Sequence, residues 1–173
     1  MNNSVAYRSS IQQQEEGRKK RIMAVDDEKD VVFCLSKILQ ETGLFDVDGF
    51  TDSQHALSSF KPGKYDLVIL DIRMPKMDGF ELYRKIKLLD KNIDVCFLTA
   101  VNDFNEYRVM HRDITDEIEK DDDSCIIDKP ADTEQLIKKI NKVIGSRMSK
   151  VNKGIEGFHN VNAFQGVDTY RVK

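Results

Sequence analysis

The chain has 173 residues, 40% hydrophobic and 33% charged, which suits one packed domain of about 100–150 residues with ends to spare and excludes global disorder. Its net charge of −3 is unevenly spread: residues 1–21 and 146–173 each sum to +3, leaving −9 on residues 22–145, so a nucleic-acid surface on the folded part is disfavoured. No apolar run approaches the roughly 20 residues of a membrane span, and Met1–Arg21 lacks the apolar centre of a secretory signal, so no membrane contact and a cytoplasmic location are expected.

In chain order, Arg21–Val25 reads as a first strand ending at Asp26-Asp27. A helix follows in which Val31, Val32, Leu35, Ile38 and Leu39 recur three and four apart, with Gly43 as its stop. Phe45–Phe50 alternates in the manner of a partly exposed edge strand, and Ser53–Phe60 is a short helix ended by Lys61-Pro62-Gly63. Tyr65–Leu70 is almost wholly apolar, as a strand covered on both faces requires, and it delivers Asp71 at its C-terminal end. The next helix spans Asp78–Leu89, with Leu82, Ile86 and Leu89 on one stripe. Strand four, Asp94–Leu98, terminates at Thr99-Ala100, and a fourth helix is predicted over Asp103–Glu119. Strand five, Cys125–Ile127, closes at Asp128-Lys129-Pro130. Asp132 or Thr133 then caps a last helix carrying Leu136, Ile137, Ile140, Val143 and Ile144.

Strict alternation of five strands with five helices, wound by right-handed crossovers, points to an α/β fold: a doubly wound five-stranded parallel sheet of order 2-1-3-4-5, flavodoxin-like. Residues 21–145 form the domain, residues 1–20 a flexible N-terminal extension, and residues 146–173 a short C-terminal tail with too few residues for an output domain. Cys34, Cys96 and Cys125 are far apart and flanked by apolar residues, so they read as reduced core residues. His55, His111 and His159 are scattered, which argues against histidine chemistry.

In such a sheet the functional crevice lies at the carboxyl ends of the strands. Asp26, Asp27, Asp71, Thr99 and Lys129 all fall there. Three clustered carboxylates call for a hard divalent cation with oxygen ligands, of which Mg²⁺ is the expected one. A carboxylate beside that ion is a nucleophile for phosphorus, and Lys129, the Thr99 hydroxyl and the following backbone N–H are suited to stabilise phosphoryl oxygens. Singly, each signal is ordinary: an Asp pair before a helix is more often a cap, and Lys-Pro more often a turn. Their convergence on four strand ends carries the reading.

The segments Val25-Asp26-Asp27-Glu28, Asp71-Ile72-Arg73-Met74-Pro75-Lys76-Met77-Asp78-Gly79, Leu98-Thr99-Ala100 and Asp128-Lys129-Pro130 resemble the response-regulator receivers of two-component signalling, over residues 21–145. The resemblance implies that Asp71 is the phosphoacceptor and that Asp27, Asp71 and the Arg73 backbone carbonyl bind Mg²⁺ directly. It also implies that Asp26 acts through water and that Thr99 and Lys129 sense the phosphoryl group. The implied donor is a phosphohistidine on a sensor histidine kinase or a histidine phosphotransfer protein. The output would be a switched surface for a downstream protein target, with DNA binding disfavoured and a homodimer allowed. Such a chain is no multi-turnover enzyme: it catalyses only its own phosphorylation and dephosphorylation. Three positions depart from the pattern. Ile126 stands where an aromatic is usual, Ala131 where Phe is common, and the Thr99–Lys129 interval is longer by roughly two helical turns and holds Asp121-Asp122-Asp123. Of the competing readings, a haloacid-dehalogenase-type phosphatase wants an acid where Arg73 stands, and a flavin protein wants a phosphate cradle where the first turn is acidic. The remaining alternative is a pseudo-receiver scaffold that is not phosphorylated.

Overall fold

The computed structural model describes residues 18–100, 109, 112, 125–129 and 132–158, with side chains placed up to Gly145 apart from Thr99 and Cys125. The helix expected over 103–119, the acidic run at 121–123, Pro130 and Ala131 therefore fall outside the described residues or nearly so; within that helix only Val109 and Arg112 are described, both helical.

Five parallel strands stand in the order β2-β1-β3-β4-β5: β1 Lys20–Val25, β2 Phe45–Phe50, β3 Leu67–Asp71, β4 Asp94–Thr99 and β5 Cys125–Asp128. The described helices are α1 Lys29–Glu41, α2 Ser53–Ser59, α3 Gly79–Leu89 and α4 Thr133–Phe158. The 2-1-3-4-5 order expected from the alternation is the one observed. Successive side chains of a strand point to opposite faces, and β1 displays the consequence. Ile22 and Ala24 join Leu35 and Leu39 of α1 and Leu136, Ile140, Val143 and Ile144 of α4 in one core. Met23 and Val25 join Ala56 of α2 and Phe80, Leu82, Tyr83 and Ile86 of α3 in the other. All five residues of β3 are buried, as its unbroken apolar run demands, whereas β2 at the edge is only half covered.

Local chemistry sets the helix ends. The Asp52 and Asp78 carboxylates accept from the backbone N–H groups of His55 and Glu81, each at 2.8 Å, and so cap α2 and α3. Helix α1 stops where Gly43 adopts φ +74° and its N–H returns to the Gln40 carbonyl at 3.0 Å.

Four expectations are corrected. Strand β3 begins at Leu67 and takes in Asp71, the pairing with β1 and β4 starting at Leu67; Tyr65 is buried ahead of it, its hydroxyl donating to Asp48 Oδ2 at 2.9 Å, an oxygen that Lys64 also meets at 2.8 Å. At the N-terminus the ordered chain reaches into the expected extension, since Lys20 is part of β1 and Arg18 pairs with Asp66 at 2.7 Å. Cys34 is exposed and free, not a core residue, since the inward stripe of α1 runs through Val32, Leu35 and Leu39. Cys96 is buried and free, as expected. Finally, α4 continues past Gly145 to Phe158.

The start of α3 is pressed against the end of β3. The Gly79 N–H donates to the Ile72 carbonyl at 2.9 Å, and a Cβ at residue 79 would collide with the Asp71 carbonyl. Gly79→Ala is expected to destabilise the fold by roughly 1–3 kcal/mol, the usual cost of overpacking against backbone that cannot yield. Urea unfolding of the two proteins measures it, and unchanged stability would show that the β3–α3 turn has room to shift.

Candidate functional site

The C-terminal ends of β1, β3, β4 and β5 open on one crevice. Val25 delivers Asp26, which is 2% exposed; β3 ends on Asp71, 6% exposed; and Lys129 follows β5 directly. The β4–β5 register pairs Thr99 with Asp128, which sets Lys129 next beyond the strand pair. Its ammonium reaches between the two buried acids, 2.7 Å from Asp71 Oδ1 and 2.6 Å from Asp26 Oδ2. The first contact is a hydrogen bond. The second is an ion pair that is shorter still, so one ammonium serves both buried carboxylates. The other Asp26 oxygen accepts from the Glu28 N–H at 3.0 Å, and the Glu28 carboxylate lies 4.0 Å from Lys129.

Electrostatics follow from burial. Taking the Asp71 carboxylate out of water raises its pKa from 3.8 to about 6; Lys129 pulls the other way but does not win, and Asp26 and Asp27 add to the rise. For Lys129, burial alone would depress the pKa, yet the facing Asp26 and Asp71 carboxylates outweigh it and hold the ammonium above its ordinary range. The crevice therefore contains a firmly charged cation and, in Asp71, a carboxyl whose pKa burial has raised to about 6.

Of the site residues expected from sequence, Asp26, Asp71 and Lys129 are brought into contact. Asp27 and Arg73 are exposed at the mouth, Asp27 near enough to act on Asp71 through its charge. The Thr99 backbone lies at the end of β4, and its side chain is outside the described residues. Among the described residues no three acidic, imidazole or thiol groups close on one point, and the Lys129 ammonium stands between the two buried acids. The physical reason is that two buried carboxylates need a cation, and Lys129 supplies it. The donors nonetheless fit a hard ion, since Asp26 and Asp71 bring carboxylate oxygens to one crevice and Asp27 stands open at its mouth.

Sequence reasoning missed the part of Glu28 and the close approach at Gly79. It also missed the rim contact in which Lys76 Nζ meets Asp52 Oδ2 at 2.9 Å, with Lys76 held at φ 68° in the left-handed region that favours glycine. A positively turned lysine inside Pro75-Lys76-Met77 gives no local sequence signal.

The response regulator receiver domain family matches this chain over residues 22–141. The chain belongs to that family. This receiver is 29% identical over 135 residues to the transcriptional regulatory protein RprY of Bacteroides fragilis, covering 78% of this chain and 53% of that protein. It is 35% identical over 81 residues to the alkaline phosphatase synthesis transcriptional regulatory protein PhoP of Bacillus subtilis, covering 47% and 33%. The receiver thus spans between a third and about half the length of these curated relatives. A solved response regulator receiver domain protein from Clostridium thermocellum superposes with a TM-score of 0.63 at 24% identity, over 75% of this chain and 97% of that one. A CheY-like receiver from Methanospirillum hungatei gives 0.62 at 21%, over 77% and 99%. These likenesses establish the fold and a place in two-component response regulators.

The folded pKa of Asp71 stands above its value in an open chain, so the unfolded state releases this proton first and stability falls as pH climbs from about 4 through 6. In chelator, Asp71→Asn should therefore melt a few degrees above the native protein at neutral pH, at ~2–4 °C for each ~1 kcal/mol, with the gap closing below about pH 4. Differential scanning calorimetry across that range decides it, and a pH-independent gap would remove burial of charge as the cause. Lys129→Met deletes the main neighbour that lowers the Asp71 pKa, so the carboxyl carbon should titrate above about 6 by NMR; a downward shift would contradict the assigned signs.

Proposed function

We propose that this receiver takes a phosphoryl group onto Asp71 from a phosphohistidine donor, in a Mg²⁺-dependent reaction, and thereby switches a surface that binds a downstream protein. The observation that carries the reading is the buried Asp71–Lys129–Asp26 contact at the C-terminal end of the central strand. An Asp71 oxygen attacks phosphorus in line with the donor nitrogen. The new O–P bond forms as the N–P bond breaks, and the imidazole keeps the electron pair. Asp26, Asp27, Asp71 and the Arg73 carbonyl would hold Mg²⁺, which when bound offsets charge developing on the phosphoryl oxygens. Lys129, already 2.7 Å from Asp71, neutralises a further oxygen. The Thr99 hydroxyl with the Ala100 N–H would take the third. Water attack at the same phosphorus would return Asp71 to the free acid, so the domain times its own signal.

The donor protein is a sensor histidine kinase or a histidine phosphotransfer protein. The readout is carried by aliphatic packing. Ile126, in the place usual for an aromatic, is half-buried against the α2–α3 side of the sheet, and its carbonyl accepts from the Lys139 ammonium at 2.6 Å. A shift of β5 on phosphorylation would thus be felt at once by α4. The switch is a population shift, no larger than the difference in the phosphoryl group's interaction with the two packings.

The test is intact mass after incubation with Mg²⁺ and phosphoramidate. Gain of one hydroxylamine-labile phosphoryl group, absent in Asp71→Asn and lost on chelation, is the expected result. No gain under conditions that modify another receiver would leave a scaffold that binds partners without chemistry.

A further inference from the structure

The turn between β3 and α3 is built on a residue that resists it. The Met77 N–H donates to the Pro75 carbonyl at 2.8 Å, closing a three-residue turn with Lys76 at its centre and φ 68°. A turn of this size with a positive central φ is the rare and strained kind of γ-turn, and the Cβ of a lysine crowds the backbone there where glycine would not. Such a conformation persists only where its surroundings over-determine it. On one flank the hold is packing: Ile72 and Met77 are buried, and Gly79 is hydrogen-bonded to Ile72 and pressed against the Asp71 carbonyl. On the other it is ionic, Lys76 Nζ meeting Asp52 Oδ2 at 2.9 Å. An exposed ion pair ordinarily contributes little, because two mobile side chains must be ordered to make it. Asp52 is already ordered. Its Oδ1 accepts from the His55 N–H at 2.8 Å as the cap of α2, a helix anchored through the buried Ser53 and Ala56. Between the two flanks lies Arg73, two residues after Asp71 and three before Lys76.

We propose that Lys76 is a positioning residue: by clasping Asp52 it keeps the left-handed turn formed and so fixes the backbone at Arg73, whose carbonyl is one of the groups assigned to Mg²⁺. This role rests on the Mg²⁺-dependent reading of Asp71. A ligand held in place before the ion arrives loses less freedom on binding it, which is how groups outside the coordination shell raise metal affinity. Lys76 acts through the loop and carries no chemical step. Its charge by itself has the opposite effect. An ammonium near the crevice repels a divalent cation, so its removal would tighten Mg²⁺ binding if charge were all that mattered, whereas loss of a clasp loosens it.

Calorimetric titration of Mg²⁺ into the full chain separates the two. Lys76→Met, which keeps the Cβ and the stem without the ammonium, should bind Mg²⁺ roughly three- to tenfold more weakly than the native protein, short of the ~10–100-fold cost of losing a group that touches a metal ligand directly. Asp52→Asn, which retains a capping oxygen, should lose about as much, and the two changes together should add little to either. Lys76→Gly should lose less, because glycine needs no clasp at φ 68°, and Lys76→Arg should restore most of the affinity. In chelator, the Met77 amide should exchange its hydrogen faster in Lys76→Met than in the native chain while the β3 amides stay protected, which reads the turn without metal. Phosphoryl acceptance by Lys76→Met should need more Mg²⁺ for half its maximal rate and reach the native rate at saturation. Equal or tighter Mg²⁺ binding by Lys76→Met overturns the proposal, as does unchanged exchange at Met77. A native chain that binds no Mg²⁺ would instead defeat the phosphoryl-transfer reading, and exchange at Met77 would still decide whether the clasp holds the turn.

Discussion

Two carboxylates buried side by side at the end of a parallel sheet cannot both stay ionised without a cation, and that requirement organises the molecule. Lys129 answers it from β5, on the far side of β4 from Asp71. The contact therefore exists only if strands from four separate stretches of sequence arrive in order 1-3-4-5 with their C-terminal ends level. The register achieves this: Val25 pairs with Leu70, Asp71 with Leu98, and Thr99 with Asp128. Burial sets the terms of the chemistry as well. It raises the Asp71 carboxyl towards neutrality, whereas the lysine, facing two acids, keeps its charge. A divalent ion entering from the side of Asp27 would meet a pocket whose charge is already partly balanced.

The sheet order, the central strand and the Asp26–Asp71–Lys129 convergence were legible in the sequence because they rest on periodicity and on where apolar runs stop. An alternation of period 2 against 3.6 separates strand from helix, and the first polar residue after each strand is by construction at the crevice. What was not legible rests on contacts between segments distant in sequence. Tyr65 has the apolar character of a strand residue and is buried, yet it precedes β3, with its hydroxyl hydrogen-bonded to Asp48. Cys34 is flanked by apolar neighbours, but a 100° turn per residue sends it outward while Leu35 goes in. The last helix was expected to carry apolar residues as far as Ile144, with a tail from residue 146, and it runs on through Gly145 because one glycine lowers propensity without breaking the hydrogen-bond ladder.

The loop joining β3 to α3 is fixed from both ends. Gly79 packs against the backbone of Asp71, leaving no space for a side chain, and Lys76 is drawn into a left-handed turn while its ammonium meets the carboxylate that caps α2. The capping oxygen Asp52 Oδ1 and its twin Oδ2 thus tie a helix start and an active-site loop to one side chain, whose pKa is lowered by the His55 N–H and by Lys76.

Strand β2 is an open edge, and an open edge can template another strand. Its sequence, Phe45-Asp46-Val47-Asp48-Gly49-Phe50, places Asp46 and Asp48 on one face of the edge strand, where they pair with Lys19 and Lys64. Any chain adding there would have to strip those charges of water and displace the Lys64–Asp48–Tyr65 clip. The sheet is in this way guarded against growing edge to edge into aggregates.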